Sequence, residues 1–269
     1  MDSFDLLERT IENCLRINCR SYKPDYIRRR VQSRMRVLQV SDYEAYRHVL
    51  LSSPPETNEL RDALTINVTR FFRDREVFEV IGREIIPEIL SRKSRIRIWC
   101  AGCASGEEAY SLAILLWEYL KDHPECSGIV YATDIDRHVL QKAIEGTYDR
   151  QAFQEVHPCR VHDHFIPLGD GRYRISPRVK ELIRFRYHDL MSGRPISTHL
   201  DLIACRNVTI YFTAEEKKRL TAMFHRALSN NGYYVMGKTE YLDRELQDLF
   251  EYCNPQEKVL KKLQAEGNR

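Results

Sequence analysis

Through the first 65 residues apolar positions return every three or four places, the period of a helix with one buried face. In "PDYIRRRVQSRMRVLQV" Ile27, Val31, Met35 and Leu38 form one stripe, with Arg28, Arg29, Arg30 and Arg36 largely off it. Pro24 and Asp25 mark the start of that helix. Ser41 with Glu44 reads as a capping box for the next helix, which ends at "SSPPE". No convincing strand interrupts, so residues 1–65 are expected to form a small all-helical domain.

From residue 95 the rhythm changes. "RIRIWCAG", "SGIVYATDID", "THLDLIACRN" and "NGYYVMGKTE" are continuous apolar runs of strand length. Between them lie "GEEAYSLAILLWEYLKD", "RHVLQKAIEG" and "TAEEKKRLTAMFHRALSN", which read as helices. Strands without polar alternation, separated by helices, predict a parallel sheet covered on both faces, a doubly wound α/β domain. Ligands of such sheets bind outside the carboxyl ends of the strands. Residues 150–190 break the pattern, and "HFIPLGDGRYRI" predicts a hairpin around Gly169-Asp170-Gly171, a small antiparallel insertion.

The chain of 269 residues is 43% hydrophobic and 30% charged, an ordinary globular balance with room for one large domain and a small one. No apolar run approaches the roughly 18 residues of a membrane span, and "MDSFDLLERT" lacks the basic and apolar parts of a signal segment. A cytoplasmic, soluble protein is expected. Eight scattered cysteines form no framework and read as reduced thiols, several of them small core residues. Cys100 and Cys103 form a lone C-x-x-C without a second pair at zinc spacing. His157, Cys159, His162 and His164 in "HPCRVHDHF" are denser, yet alternating polar residues at a strand start produce the same pattern, and no metal is expected. The net charge is only +3, but residues 1–40 hold nine basic against five acidic side chains, so the partner of that face is expected to be acidic.

The most informative stretch is "RIWCAGCASGEEAYSLAI", Arg97 to Ile114: strand, small-residue loop, helix. Gly102 and Gly106 are followed by Glu107 and Glu108 where a phosphate loop would have Lys and Ser or Thr. Two carboxylates in the first turn repel a phosphate, which argues against nicotinamide dinucleotides and nucleoside triphosphates. S-adenosylmethionine has a ribose, an amino group and a sulfonium but no phosphate, and a glutamate at the helix start can accept from its cationic or hydroxyl groups. The bland alternative is that the two acids only complement the helix dipole. Asp134 at the tip of the second strand stands where such folds bind ribose hydroxyls, while Asp136 suits the role of cap for the next helix.

"INVTRFFRD" (66–74), "WCAGCASGEEAYSLAI" (99–114), "ATDID" (132–136), "LIACRNVTIYF" (202–212) and "GYYVMGKTE" (232–240) occur in the order found in the chemotaxis receptor methyltransferases. The chain thus resembles the CheR family over nearly its whole length. The resemblance implies a class I S-adenosylmethionine-dependent methyltransferase, a Rossmann-like doubly wound sheet with a helical N-terminal domain (1–65). A linker and cofactor-contacting segment (66–92) would follow, then a methyltransferase domain (93–269) with a β insertion at about 159–187. It further implies that Asn67, Thr69, Arg73, Gly102, Glu107, Asp134, Asp189, Leu190, Arg206 and Asn207 approach S-adenosylmethionine, the product being S-adenosylhomocysteine. Arg73, Arg206 and Tyr211 would act in catalysis, with one of the two arginines orienting the acceptor carboxylate and Tyr211 near the transferred methyl. The chain departs from the family pattern at Ala109, where proline is usual, and at Gly237-Lys238-Thr239-Glu240, where the family often has Gly-His-Ser-Glu.

The implied reaction is methyl ester formation on glutamates of methyl-accepting chemotaxis receptors. Their cytoplasmic helical bundles would meet the basic helix through Arg28, Arg29 and Arg36. A monomer that binds no nucleic acid and does not insert directly into a membrane is expected. Two alternatives stay open: a methyltransferase for another substrate, and a non-catalytic receptor-binding module that senses S-adenosylmethionine. The Asn-Pro-Pro-Tyr-like block common in amino-methylating enzymes is replaced by "CRNVTIYF", and the presence of Arg73, Arg206 and Tyr211 counts against a non-catalytic module.

Overall fold

The structure, a computed structural model, describes residues 2–65 and 67–263; Met1, Ile66 and residues 264–269, which the sequence boundaries include, lie outside the described residues. Two compact units form, Met1–Asn67 with Tyr211–Glu216, and Val68–Ile210 with Lys217–Arg269.

The helical unit contains α1 (Ser3–Leu15), α2 (Pro24–Val37), α3 (Tyr43–Ser52) and α4 (Pro54–Thr65). Ile27, Val31 and Met35 are buried as the periodicity requires, but Leu38 ends α2 as its C-cap and is 37% exposed. The cap of α3 is Asp42, not Ser41, its side chain accepting from the Ala45 N–H at 2.8 Å. A buried carboxylate joins three of these helices: Glu56 accepts from Arg34 Nε (3.0 Å) and Nη2 (2.6 Å) and from the Tyr46 hydroxyl (2.7 Å). Residues 211–216 are tied to this unit by an antiparallel bridge of Tyr22 with Phe212 and by the Thr213 N–H donating to the Ser21 carbonyl.

In the larger unit, α5 (Arg75–Val80), a π turn (Ile81–Ile85) and α6 (Ile86–Arg92) run on as one irregular helix. Then follow β1 (Arg95–Ala101), α7 (Glu107–Leu120), β2 (Ser127–Asp134), α8 (Arg137–Glu145), β3 (Thr147–Asp149), α9 (Pro158–His164), β4 (Phe165–Pro167), β5 (Arg172–Ile175), α10 (Pro177–Lys180), β6 (Ile183–Tyr187), β7 (Leu200–Cys205), α11 (Ala214–Ala227), β8 (Leu228–Met236), β9 (Phe250–Asn254) and β10 (Val259–Lys262). The main sheet has the order β6-β2-β1-β7-β8-β10-β9, parallel from β6 to β8, with β10 antiparallel to both its neighbours. Side chains alternate across β1: Ile96, Ile98 and Cys100 join the core shared with α6 and α7, while Trp99 meets Phe224 of α11 edge-on.

Residues 68–92, expected as a linker, belong to this unit's core through Phe71, Phe72, Phe78, Ile85 and Ile89. The antiparallel insertion has the order β3-β5-β4, so it starts at Thr147 rather than near 159. It also ends earlier, because Ile183–Tyr187 pairs with β2 as the edge of the main sheet. The histidine-rich run is the short helix α9 and not a strand start. Its side chains diverge: His162 meets Asp163, buried His164 meets Glu118, and His157 accepts from the Cys159 N–H. No group of three or more metal-ligating side chains is found among the described residues.

Parallel register aligns the loops at the carboxyl ends. Ala101 pairs with Thr133, Asp134 with Tyr187, and Cys205 with Met236, so residues 102, 135, 188, 206 and 237 leave the sheet on one edge. Glu240, only 2% exposed, closes this edge between β7 and β8. Its carboxylate accepts from the backbone N–H of Asn207 (3.0 Å), Thr209 (2.8 Å) and Gly237 (2.7 Å) and from the Thr209 hydroxyl (2.7 Å). A Glu240→Gln side chain keeps the volume but turns an NH2 toward backbone donors, leaving buried groups unsatisfied. The expected loss is roughly 2 to 4 kcal/mol of unfolding free energy, read in urea titrations; a variant with wild-type stability would refute the anchoring role.

Candidate active site

The loop after β1 is built from left-handed residues. Gly102, Ala104 and Gly106 have φ of 80°, 46° and 96°. At Gly102 a Cβ would stand 2.5 Å from Val208 Cγ2, and at Gly106 2.9 Å from Ala143 Cβ, so neither tolerates a side chain without rearrangement. Two backbone N–H groups, of Gly102 (2.8 Å) and Cys103 (2.9 Å), share the Thr133 carbonyl, which draws the loop against the tip of β2. Asp134 completes the attachment, accepting from the Ala104 N–H and the Asp136 N–H, both at 2.9 Å. The Ile135 N–H also favours its charged form, and a carboxylate has acceptor capacity for a further donor. Burial lifts this carboxyl to about 6 against the backbone donors that favour its charge. Asp136 caps α8 through the His138 N–H at 2.8 Å.

Glu107 is 7% exposed and accepts from Ser105 Oγ at 2.7 Å; it pairs with no cation among the described residues. Burial raises its pKa, opposed by the Ser105 hydroxyl. A buried carboxylate without a counter-charge at a glycine loop fits an amino group or hydroxyls and repels phosphate, the requirement that S-adenosylmethionine meets. Glu107 lines a cleft of about 590 Å³ with Thr69, Arg73, Ser105, Lys142 and Tyr148.

Arg73 reaches this cleft on an unusual turn. Phe72 and Asp74, on either side, have φ of 54° and 59°. Left-handed backbone at a bulky residue costs on the order of 1–3 kcal/mol. Burial of Phe71 and Phe72, 0% and 1% exposed, contributes about 1.5–3 kcal/mol each and offsets that strain. Hydrogen bonds hold the turn at three positions: Phe71 N–H to the Ala152 carbonyl, Phe72 N–H to Ser111 Oγ, and Asp74 N–H to Glu155 Oε2. The Arg73 guanidinium itself donates to the Val68 carbonyl at 3.2 Å and stays partly exposed.

Arg206 is placed differently. Its side chain is 1% exposed and its guanidinium is engaged with Asp74 Oδ2 (2.6 Å), Glu108 Oε2 (2.9 Å) and the Arg73 carbonyl (3.1 Å). It also lies over the Phe78 ring at 5.4 Å. Its Nε is buried without a partner. Burial raises the Glu108 pKa, with Arg206 the largest opposing influence. Asn207, next in the chain, has φ of 60°, a conformation that asparagine tolerates better than most residues. Asp189 accepts from the Met191 N–H at 2.8 Å and caps the turn that begins with buried Leu190.

Thus Thr69, Arg73 and Glu107 line one cleft, Gly102 and Asp134 share one loop attachment, and Arg206 stands behind Arg73. Asn67 and Tyr211 belong to the helical unit. There Asn67 Nδ2 donates to Thr65 Oγ1, and the Tyr211 ring lies 4.9 Å from that of Tyr26. Sequence reasoning gave Asp74 and Glu240 no role of their own and read Glu108 only as a second acid against phosphate, whereas it is bound to Arg206. Glu108 had only its place beside Glu107 to mark it, and Glu240 only its place at the end of a motif block.

Residues 2–65 match the family model for the CheR methyltransferase all-alpha domain, and residues 67–259 that for the CheR methyltransferase SAM binding domain. A chemotaxis protein methyltransferase of Vibrio parahaemolyticus is 37% identical over 199 residues, 72% of each chain. One from Listeria innocua is 33% identical over 237 residues, covering 87% of this chain and 88% of that one. An uncharacterized 104.1 kDa protein of Rhodobacter capsulatus is 32% identical over 251 residues, 92% of this chain, which spans only 26% of that longer protein. The chain therefore belongs to the CheR family of S-adenosylmethionine-dependent methyltransferases of chemotaxis.

Proposed function

We propose that the chain methylates glutamate side chains on the cytoplasmic helical domain of methyl-accepting chemotaxis receptors. The cofactor supplies a methyl group on a sulfonium: a carboxylate oxygen bonds to the methyl carbon as the carbon–sulfur bond breaks and its electron pair stays on sulfur. A glutamate, with an ordinary pKa of about 4.3, is already ionised at neutral pH and needs no general base. The protein's task is alignment and exclusion of water. The observation that carries this reading is the cleft in which a buried, cation-free Glu107 and a partly exposed Arg73 occur together. Glu107 would hold the amino-acid end of the cofactor, Asp134 the ribose, and Arg73 the acceptor carboxylate. Arg206 is spent on Asp74, Glu108 and a backbone carbonyl, which favours Arg73 of the two arginines for the acceptor. Tyr211 is assigned to the surroundings of the methyl group by family resemblance alone.

The basic helix α2 supports an acidic helical partner. Arg34 is committed to Glu56 and Glu59, and Arg28 lies over the Phe4 ring at 4.3 Å, while Arg28, Arg29 and Arg36 remain exposed. No helix among the described residues is long and apolar enough to cross a membrane. A cytoplasmic monomer acting on the receptors from solution, without nucleic acid, completes the reading.

The deciding experiment incubates the protein with methyl-labelled cofactor and receptor membranes, then treats with base. Labelled methanol is the expected release; base-stable label would mean methylation of another group, and absence of label a non-catalytic module. Arg73→Ala should lower kcat/KM for receptor about 100-fold, and unchanged turnover would remove Arg73 from the acceptor site. Charge reversal at Arg29 and Arg36 should raise the receptor KM several-fold at low salt, with the effect shrinking as salt rises; a KM that does not move would leave α2 a solvated face.

Asp134 gives a pH signature. The ionised carboxylate accepts ribose hydroxyls, so affinity for S-adenosylhomocysteine should be level above about 6 and weaken as pH falls through that value. Asp134→Asn should lack the step, measured by calorimetry; a flat wild-type profile down to pH of about 5 would contradict the ribose assignment.

A further inference from the structure

We propose that Glu108 and Asp74, acting through Arg206, are positioning residues that set Arg73 for the acceptor before any substrate arrives. The inference rests on the assignment of the acceptor carboxylate to Arg73. Arg206 Nη2 donates at once to the carbonyl of Arg73 (3.1 Å) and to the carboxylate of Asp74 (2.6 Å), so one nitrogen holds two consecutive residues of the strained turn. Its Nη1 donates to Glu108 Oε2 at 2.9 Å, which attaches that nitrogen to the first turn of α7. The same helix turn carries Glu107, the neighbour of Glu108, and Ser111, whose hydroxyl accepts the Phe72 N–H at 2.9 Å and donates to the Glu107 carbonyl at 2.7 Å.

One turn of helix therefore fixes Glu107 at the cleft by its own backbone and Arg73 at the cleft through two separate attachments. Glu107 and Glu108 are adjacent yet have opposite employment. The first lines the cleft without a cation, and the second is bound to a buried guanidinium. The geometry makes the distance between the cofactor end and the acceptor end of the site a property of α7. Left-handed backbone at Phe72 and Asp74 carries strain that Arg206 helps to hold, so releasing Arg206 would loosen the turn that sets Arg73.

A double-mutant cycle tests this. Glu108→Gln, with the milder Asp74→Asn in parallel because Asp74 is 29% exposed, is measured alone and combined with Arg73→Ala. Readouts are receptor KM and kcat, affinity for S-adenosylhomocysteine, and the thermal midpoint. Each single variant should lower receptor kcat/KM about 10- to 100-fold while S-adenosylhomocysteine affinity stays within about twofold. In the Arg73→Ala background the same changes should have no further effect on kcat/KM, since there is nothing left to position. Full additivity with Arg73→Ala would overturn the proposal, as would parallel loss of cofactor affinity and receptor turnover in Asp74→Asn. If Arg73→Ala by itself kept wild-type kcat/KM, the acceptor assignment would fail first, which separates that failure from failure of the clamp.

Discussion

A guanidinium with 1% of its side chain exposed is held at the carboxyl edge of the sheet between Asp74, Glu108 and the carbonyl of Arg73. Removing an ion of this size from water costs several kcal/mol even after the protein relaxes, and only close carboxylates and carbonyls repay it. Two carboxylates face one cation, and burial still raises Glu108 with Arg206 beside it as the largest opposing influence. The cluster joins segments that the sheet alone does not connect: the turn before α5, the start of α7 and the end of β7. Without it the left-handed turn at 72–74 would rest on aromatic burial and backbone hydrogen bonds.

The same device recurs along the carboxyl edge of the sheet. Asp134 gathers the N–H groups of Ala104 and Asp136, Glu240 those of Asn207, Thr209 and Gly237, and Asp189 that of Met191. Loops that end parallel strands expose backbone donors with no strand to receive them; buried Asp134 and Glu240 satisfy two or three at once, and half-buried Asp189 one. Acids that would otherwise signal binding are architectural first. What remains for binding is acceptor capacity at Asp134 and a free position at Glu107. Asn207 and the glycines at 102 and 106 fit the same scheme, since each loop must pass through left-handed backbone to turn back toward its carboxylate.

Departures from the periodic reading have local causes. Asp42 rather than Ser41 caps α3, because a one-residue shift between two competent capping side chains is decided by which backbone leaves the helix. The histidine run became α9, where Pro158 at the first turn and His157 as cap are compatible with a helix that seven residues of polar sequence only weakly predict. The pair β9 and β10 had no reading of its own, being short strands at an antiparallel edge. Burial pushes Glu118 up, yet its contacts with His164 and Arg160 hold it down to about 2, so one of the candidate ligands, His164, is engaged with Glu118 instead of a metal.

Sequence by itself determined the helical start, the alternation of strands and helices and the glycine loop with its acids, because each depends on residues within a few positions of one another. Period, cap and turn chemistry are local properties, and they are legible wherever local preference and burial agree. Tertiary structure alone decided which arginine lines the cleft. Arg206 meets Glu108 and Asp74 across separations of 98 and 132 residues, and Glu240 reaches Asn207 across 33. Tyr211, read as part of the methyltransferase domain, returns to the helical unit through a bridge between Tyr22 and Phe212. Such pairings are set by sheet register and by the requirement that every buried charge find a partner, and neither condition exists until the chain has closed on itself.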